Sequence, residues 1–170
     1  CQNLKSEFND LPIAGKVNDG GFFYTSGEAA PPPGRAGRGR EAEAAKNREE
    51  AKAAAKKADG GRPSTAGMTY SGLKSMIYAG LSQDDIRVKA AKDYIAKNYT
   101  LDENPGQGQR GLYYYYMVFA RAMAALGSPT FTDADGKAHD WKAELAAALL
   151  KRQDAAGGWA NPDDRFMEGD

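Results

Sequence analysis

Four consecutive tyrosines, Tyr113 to Tyr116, are the densest chemical feature of the chain. Successive residues of a helix point about 100° apart, so at least one of these rings must face away from the packed side. Tyr70 opens an earlier apolar stretch at a comparable level. A wall of such π faces could hold an apolar chain or a cation. Equally, the rings could pack between helices with their hydroxyls on backbone carbonyls. Asp133-Ala134-Asp135-Gly136, with Glu144 at the twelfth position counted from Asp133, has the outline of a calcium loop. Lys137 and His139 stand where such a loop needs oxygen ligands, so a turn is the expectation. His139, the sole histidine, sits beside Asp140 and reads as a solvent-facing or capping residue. Asp163, Asp164, Glu168 and Asp170 suit the start of a following helix, where carboxylates cap free N–H groups. No residue set calls for a metal, and no cofactor is implied.

Composition narrows the classes open to the chain. Its 170 residues, 41% of them hydrophobic, suffice for one domain with a core. Twenty-three basic and twenty-three acidic side chains cancel, which removes the global field expected of a nucleic-acid partner. No apolar run approaches the roughly 20 residues that cross a bilayer, while a peripheral membrane contact stays open. A single cysteine excludes an internal disulfide framework and leaves the compartment undetermined.

The residues that must position this chemistry fall into three stretches. Residues 1–30 read as the end of one repeat. Residues 31–62 are an insertion, Pro/Gly-rich and then Ala/Glu/Lys-rich, with nine basic and five acidic side chains between Arg35 and Arg62. That composition suits a solvated low-complexity segment or a basic tether to an anionic surface. Residues 63–170 carry helical periodicity. Met68–Ala79 aligns Tyr70, Leu73 and Ile77 and stops at Gly80. Ser82-Gln83-Asp84-Asp85 has the form of a capping box opening a helix with Val88, Ala91 and Ile95 inward. Leu112–Leu126 holds one charge, Arg121, and is expected to be buried on all sides. A fourth helix begins near Asp140, burying Trp141, Leu145 and Leu149. A shift of 47 residues lays Gly80 on Gly127, and a shift of 53 lays Val88 on Trp141. Two helix pairs therefore repeat.

Gln153, Gly157 and Trp159 follow the last helix as Gln-x-x-x-Gly-x-Trp, and Gln2 with Gly20, Gly21 and Phe22 forms a looser Cys-Gln…Gly-Gly-Phe version. This pattern resembles the QW repeat of the prenyltransferase and squalene-cyclase-like family. The resemblance implies an all-α fold, an α/α toroid of inner and outer helix pairs, present here as a partial ring within an incomplete fragment. It implies a structural role for the seven motif residues and a cavity lined by candidates Tyr70, Tyr113, Tyr114, Tyr115 and Tyr116. The activity it implies is on an isoprenoid or other elongated apolar molecule. The alternative is a noncatalytic toroid that binds a peptide, glycan or lipid, and a polysaccharide lyase or hydrolase of the same barrel type is a third class. The family's Asp-x-Asp-Asp acid is matched only as far as Asp133-Ala134-Asp135-Gly136. Its zinc set, an Asp-x-Cys pair with a distant histidine, is not matched around Cys1.

Overall fold

Apolar residues recurring every three to four positions form four long helices in a computed structural model that describes residues 1–10, 14–24, 61–164 and 168. Almost all of the insertion at 31–62 lies outside the described residues. The described chain is mostly helical, with five helices and one small two-stranded sheet. A short helix, α1 (Ala14–Val17), belongs to the N-terminal stretch. The helix α2 (Ala66–Tyr78) buries Ala66, Tyr70 and Leu73. It is stopped by Gly80, whose φ of 83° lies in the left-handed region that glycine adopts freely.

The helix α3 (Ile86–Lys97) turns Val88, Ala91 and Ile95 inward as the periodicity predicts. Its cap differs from the expected box. Asp85 accepts from the Arg87 amide at the helix start, and the Ser82 hydroxyl is used one turn earlier by the Asp84 amide. The helix α4 (Leu112–Leu126) is framed by Gly111 and Gly127, with φ of 60° and 75°. One side of it, including Tyr115, Tyr116, Phe119 and Met123, is buried. The expectation of burial on all sides is corrected at Tyr114 and Met117, which are 47% and 40% exposed. The described residues pack only one flank of α4.

A hairpin, missed by the sequence reading, precedes the last helix. Its strands β1 (Phe131–Thr132) and β2 (Ala138–His139) pair antiparallel, Phe131 opposite His139. The helix α5 (Trp141–Arg152) then starts at Asp140, whose carboxylate accepts from the Ala143 amide. Trp141 is buried, whereas Leu145 and Leu149 are only half-buried.

The core lies where α2 and α4 run side by side. The Tyr70 ring sits 5.7 Å from Tyr115 and 5.1 Å from Phe119, tilted and edge-on. Their N-termini meet at Asn104, which accepts from the Gly67 amide and donates to the Arg110 carbonyl. Two helix pairs make a stack; they do not by themselves define a ring. Phe119 contacts four aromatic rings, Tyr70, Tyr99, Tyr115 and Trp141. Phe119→Ala is expected to lower unfolding free energy by about 3–5 kcal/mol, whereas Met117→Ala should cost less than about 1 kcal/mol. Urea denaturation of both variants checks the contrast.

Candidate functional site: helix joints and the tyrosine face

The two glutamine motifs make the same bond. Gln153 donates from its amide to the Gly157 carbonyl at 2.8 Å, and Gln2 donates to the Gly20 carbonyl at 2.9 Å. Both glycines are left-handed, with φ of 86° and 79°. An aromatic residue follows two positions later in each case, Trp159 and Phe22. Residues 3–19 are thus an excursion within the first joint that leaves its closing bond intact. Gln2 also reaches the Arg87 carbonyl at 2.8 Å, tying the joint to α3. Gly20 is pressed so closely on the Ala90 carbonyl that a Cβ would overlap it. A Cβ on Gly21 would overlap Ser64 and the Tyr94 ring.

The aromatic partners cover their joints unequally. The Phe22 ring lies over Gly72 of α2, where a Cβ would sit 2.7 Å from it. Trp159 donates its indole N–H to the Leu149 carbonyl at 2.9 Å but remains 46% exposed. Its contribution therefore rests on that bond and on half of its area, not on full burial.

The five nominated tyrosines separate into interior and surface. Tyr70, Tyr115 and Tyr116 are buried in the core. Tyr115 donates to the Thr100 carbonyl at 2.6 Å, and Tyr116 donates to the Leu101 carbonyl. The Tyr70 hydroxyl is buried with no carbonyl acceptor, the Tyr115 hydroxyl being its polar neighbour. Tyr113 is half-buried and donates to the Ala160 carbonyl at 3.4 Å, while Tyr114 is exposed. None of the five lines the shallow cavity of about 290 Å³ beside α5, bordered by Leu101, Asp102, Glu144, Ala148 and Arg152 among others. The exposed stripes of the two central helices are mixed. Tyr78 on α2 is 72% exposed. Lys74 on α2 and Arg121 on α4 hold equivalent positions 47 residues apart, with Tyr114 about two turns before Arg121 on the same side.

His139 is not solvent-facing; the expectation is corrected. Its ring is buried, with Nε2 3.0 Å from Asp133 Oδ2 and Nδ1 2.9 Å from Glu144 Oε1. Tyr99 stacks on it at 4.0 Å and donates its hydroxyl to Glu144 at 2.9 Å. Asp133 and Glu144 meet opposite nitrogens of one imidazole, so the three do not converge on a common point. The other Asp133 oxygen accepts from the Asp135 and Lys137 amides, which makes the Asp133–Gly136 stretch the hairpin turn. Hydrogen bonding from His139, then from the Lys137 backbone, holds the Asp133 carboxyl below its ordinary range.

Two members of the acidic run, Asp164 and Glu168, cap the start of α4; Asp170 lies outside the described residues. Asp164 accepts from the Gly111 amide at 2.8 Å and Glu168 from the Tyr114 amide at 2.7 Å, both at the start of α4. Asn161 positions Glu168 through a 2.8 Å bond to its carboxylate. One repeat earlier Asn104 and the Pro105 carbonyl do the same for α2, taking the amides of Gly67 and Ala66. The repeated Asn-Pro pair, Asn104-Pro105 and Asn161-Pro162, was the available signal for these caps.

No family model, no curated protein and no solved structure matches the chain. What the arrangement can do chemically follows from the groups themselves. Burial pushes the Tyr116 and Tyr94 hydroxyls up to about 12 and raises Tyr115 and Tyr70 further. These phenols stay protonated at ordinary pH, so they donate hydrogen bonds and offer π faces. Among the described residues no group of three or more His, Cys, Asp or Glu could hold a metal ion. No described helix is long and apolar enough to cross a membrane.

Three outcomes are expected. Gly20→Ala should destabilise the fold by about 2–4 kcal/mol in chemical denaturation, since it adds left-handed strain and a backbone clash. Tyr116 and Tyr94 keep their protons to about pH 12 when folded, whereas the unfolded phenol loses its own near 10. Their stabilisation is complete below about pH 10 and is lost as pH rises toward 12, visible as tyrosinate absorbance rising together with unfolding. Asp133 behaves oppositely: its contribution is present above the unfolded carboxyl range and lost as pH falls through its lowered folded value. In acid titrations followed by circular dichroism, Asp133→Asn should flatten that limb.

Proposed function

We propose that the chain is part of an α/α toroid of the prenyltransferase and squalene-cyclase-like repeat group, with α2 and α4 as inner helices. Its role is to wall a cavity that receives an elongated, largely apolar molecule of the isoprenoid kind. The observation that carries this reading is the pair of matching joints. Gln2 and Gln153 each close on the carbonyl of a left-handed glycine placed two residues before an aromatic ring. That conjunction is the QW device performed twice, two helix pairs apart along the chain. On the inner helices Tyr78 and Tyr114 supply apolar faces, and Lys74 and Arg121 suit a polar or anionic end of the bound molecule.

A second reading, the noncatalytic binding toroid for a peptide, glycan or lipid, is favoured by how the carboxylates of the Asp133 turn and of the acidic run are used. Asp133 is committed to His139 and the hairpin turn, and Asp164 and Glu168 to the start of α4. None of the three is free to protonate an alkene. Both readings are tested by titrating the chain with squalene and with a fluorescent farnesyl alcohol in detergent, then analysing the mixture by mass spectrometry. Saturable binding that weakens several-fold in Tyr114→Ala or Tyr78→Ala supports the cavity wall. New product supports the enzyme, and binding without product supports the module. Absence of binding to either probe sinks the isoprenoid reading.

A further inference from the structure

The 47-residue equivalence between α2 and α4 identifies a face that is finished in the first helix and only partly covered by the described residues in the second. Along α2, Ala66, Tyr70, Leu73 and Ile77 form the flank turned to α4; the first three are at most 2% exposed, and Ile77 packs against the same cluster. Their equivalents on α4 are Tyr113, Met117, Ala120 and Ala124. Met117, the counterpart of the wholly buried Tyr70, is 40% exposed, and Ala124 is exposed as well. Tyr113 and Ala120 are half-buried. Spaced by four, three and four residues, the four positions make one continuous helical stripe.

What covers this stripe in the first pair is known in detail. Tyr70 is covered by two rings of the neighbouring helix, Tyr115 and Phe119, four residues apart. We propose that the Tyr113, Met117, Ala120 and Ala124 face of α4 is a docking surface for an inner-type helix presenting two aromatic rings at i and i+4. It continues the interface already formed between α2 and α4. A second copy of this chain does not meet that description. Its own positions equivalent to Tyr115 and Phe119 are Met68 and Gly72, and Gly72 is already covered by Phe22. The flank of α4 therefore asks for a helix that the described residues do not supply, and it specifies that helix's ring spacing. This inference rests on the stacked-pair reading above and adds the surface and the chemistry of its partner.

The probe is a peptide of residues 111–127, bridged to hold its helix, flanked by added lysines for solubility and carrying a fluorophore. Added to the 170-residue chain, it should bind saturably by anisotropy. Met117→Lys in the chain should weaken binding roughly tenfold or more by placing a charge against the rings. Tyr115→Ala with Phe119→Ala in the peptide should abolish it, and Tyr78→Lys in the chain should leave it unchanged. Met117 is partly exposed, and circular dichroism verifies that the variant is folded. Equal binding by folded Met117→Lys, or by the ringless peptide, overturns the proposal. Concentration-dependent self-association of the chain that Met117→Lys removes also overturns it, in favour of a second copy. Isoprenoid binding is read separately: its absence with peptide capture intact defeats the cavity reading alone.

Discussion

Helices stacked side by side in the same direction bring their free N-terminal amides to one end, inside the packed region, and those amides must find acceptors. The rest of this structure is arranged around that requirement. At α2 the acceptors are the Asn104 side chain and the Pro105 carbonyl; at α4 they are the carboxylates of Asp164 and Glu168. In each case the acceptor comes from the connector that follows the next helix. A connector thus satisfies the start of the second helix behind it before the chain moves on, and this ties each helix pair to the connector after it.

Such dependence explains why the joints tolerate so little. A connector that must deliver an acceptor to a fixed amide cannot wander, so its backbone is closed by side chains at both ends. Gln153 and Gln2 do this by bonding the carbonyl of a glycine whose left-handed conformation reverses the chain. The 17 residues between Gln2 and Gly20 are admitted because the closing bond depends on where those two residues sit, not on the path between them. Phe22 then lies across Gly72, and the amide of Phe22 is held by the Thr69 hydroxyl at 2.9 Å.

The four long helices were legible because their apolar residues recur with a helical period and their ends carry Gly80, Gly127 and Asp140. The joints were legible as residues and spacing, though the shared bond is visible only in three dimensions. The hairpin was not legible, since strands of two residues leave no alternation to read. His139 was misread for a related reason. Its burial depends on Tyr99, 40 positions earlier, and on Glu144 reaching back across a helix start. The capping role of the acidic run was legible in kind, but not the partner of Asp164 and Glu168: packing brings them to a helix start more than 50 residues earlier, a pairing that local spacing does not encode.

The tyrosine run shows why residue type alone could not assign a site. On a helix, four adjacent rings cannot share a fate. Tyr115 and Tyr116 meet backbone carbonyls of the segment after α3, Tyr113 reaches the connector after α5, and Tyr114 is left facing outward. Burial costs a phenol little when a carbonyl accepts its hydrogen bond, and the gain in apolar area then favours the interior. Tyr70 lacks such an acceptor, which an ordinary core would avoid by using phenylalanine. Its ring is nevertheless the central contact between α2 and α4. The aromatic residues therefore serve first to bind one helix to the next, and what they leave for a ligand is set by the few rings and cations that the stack does not consume.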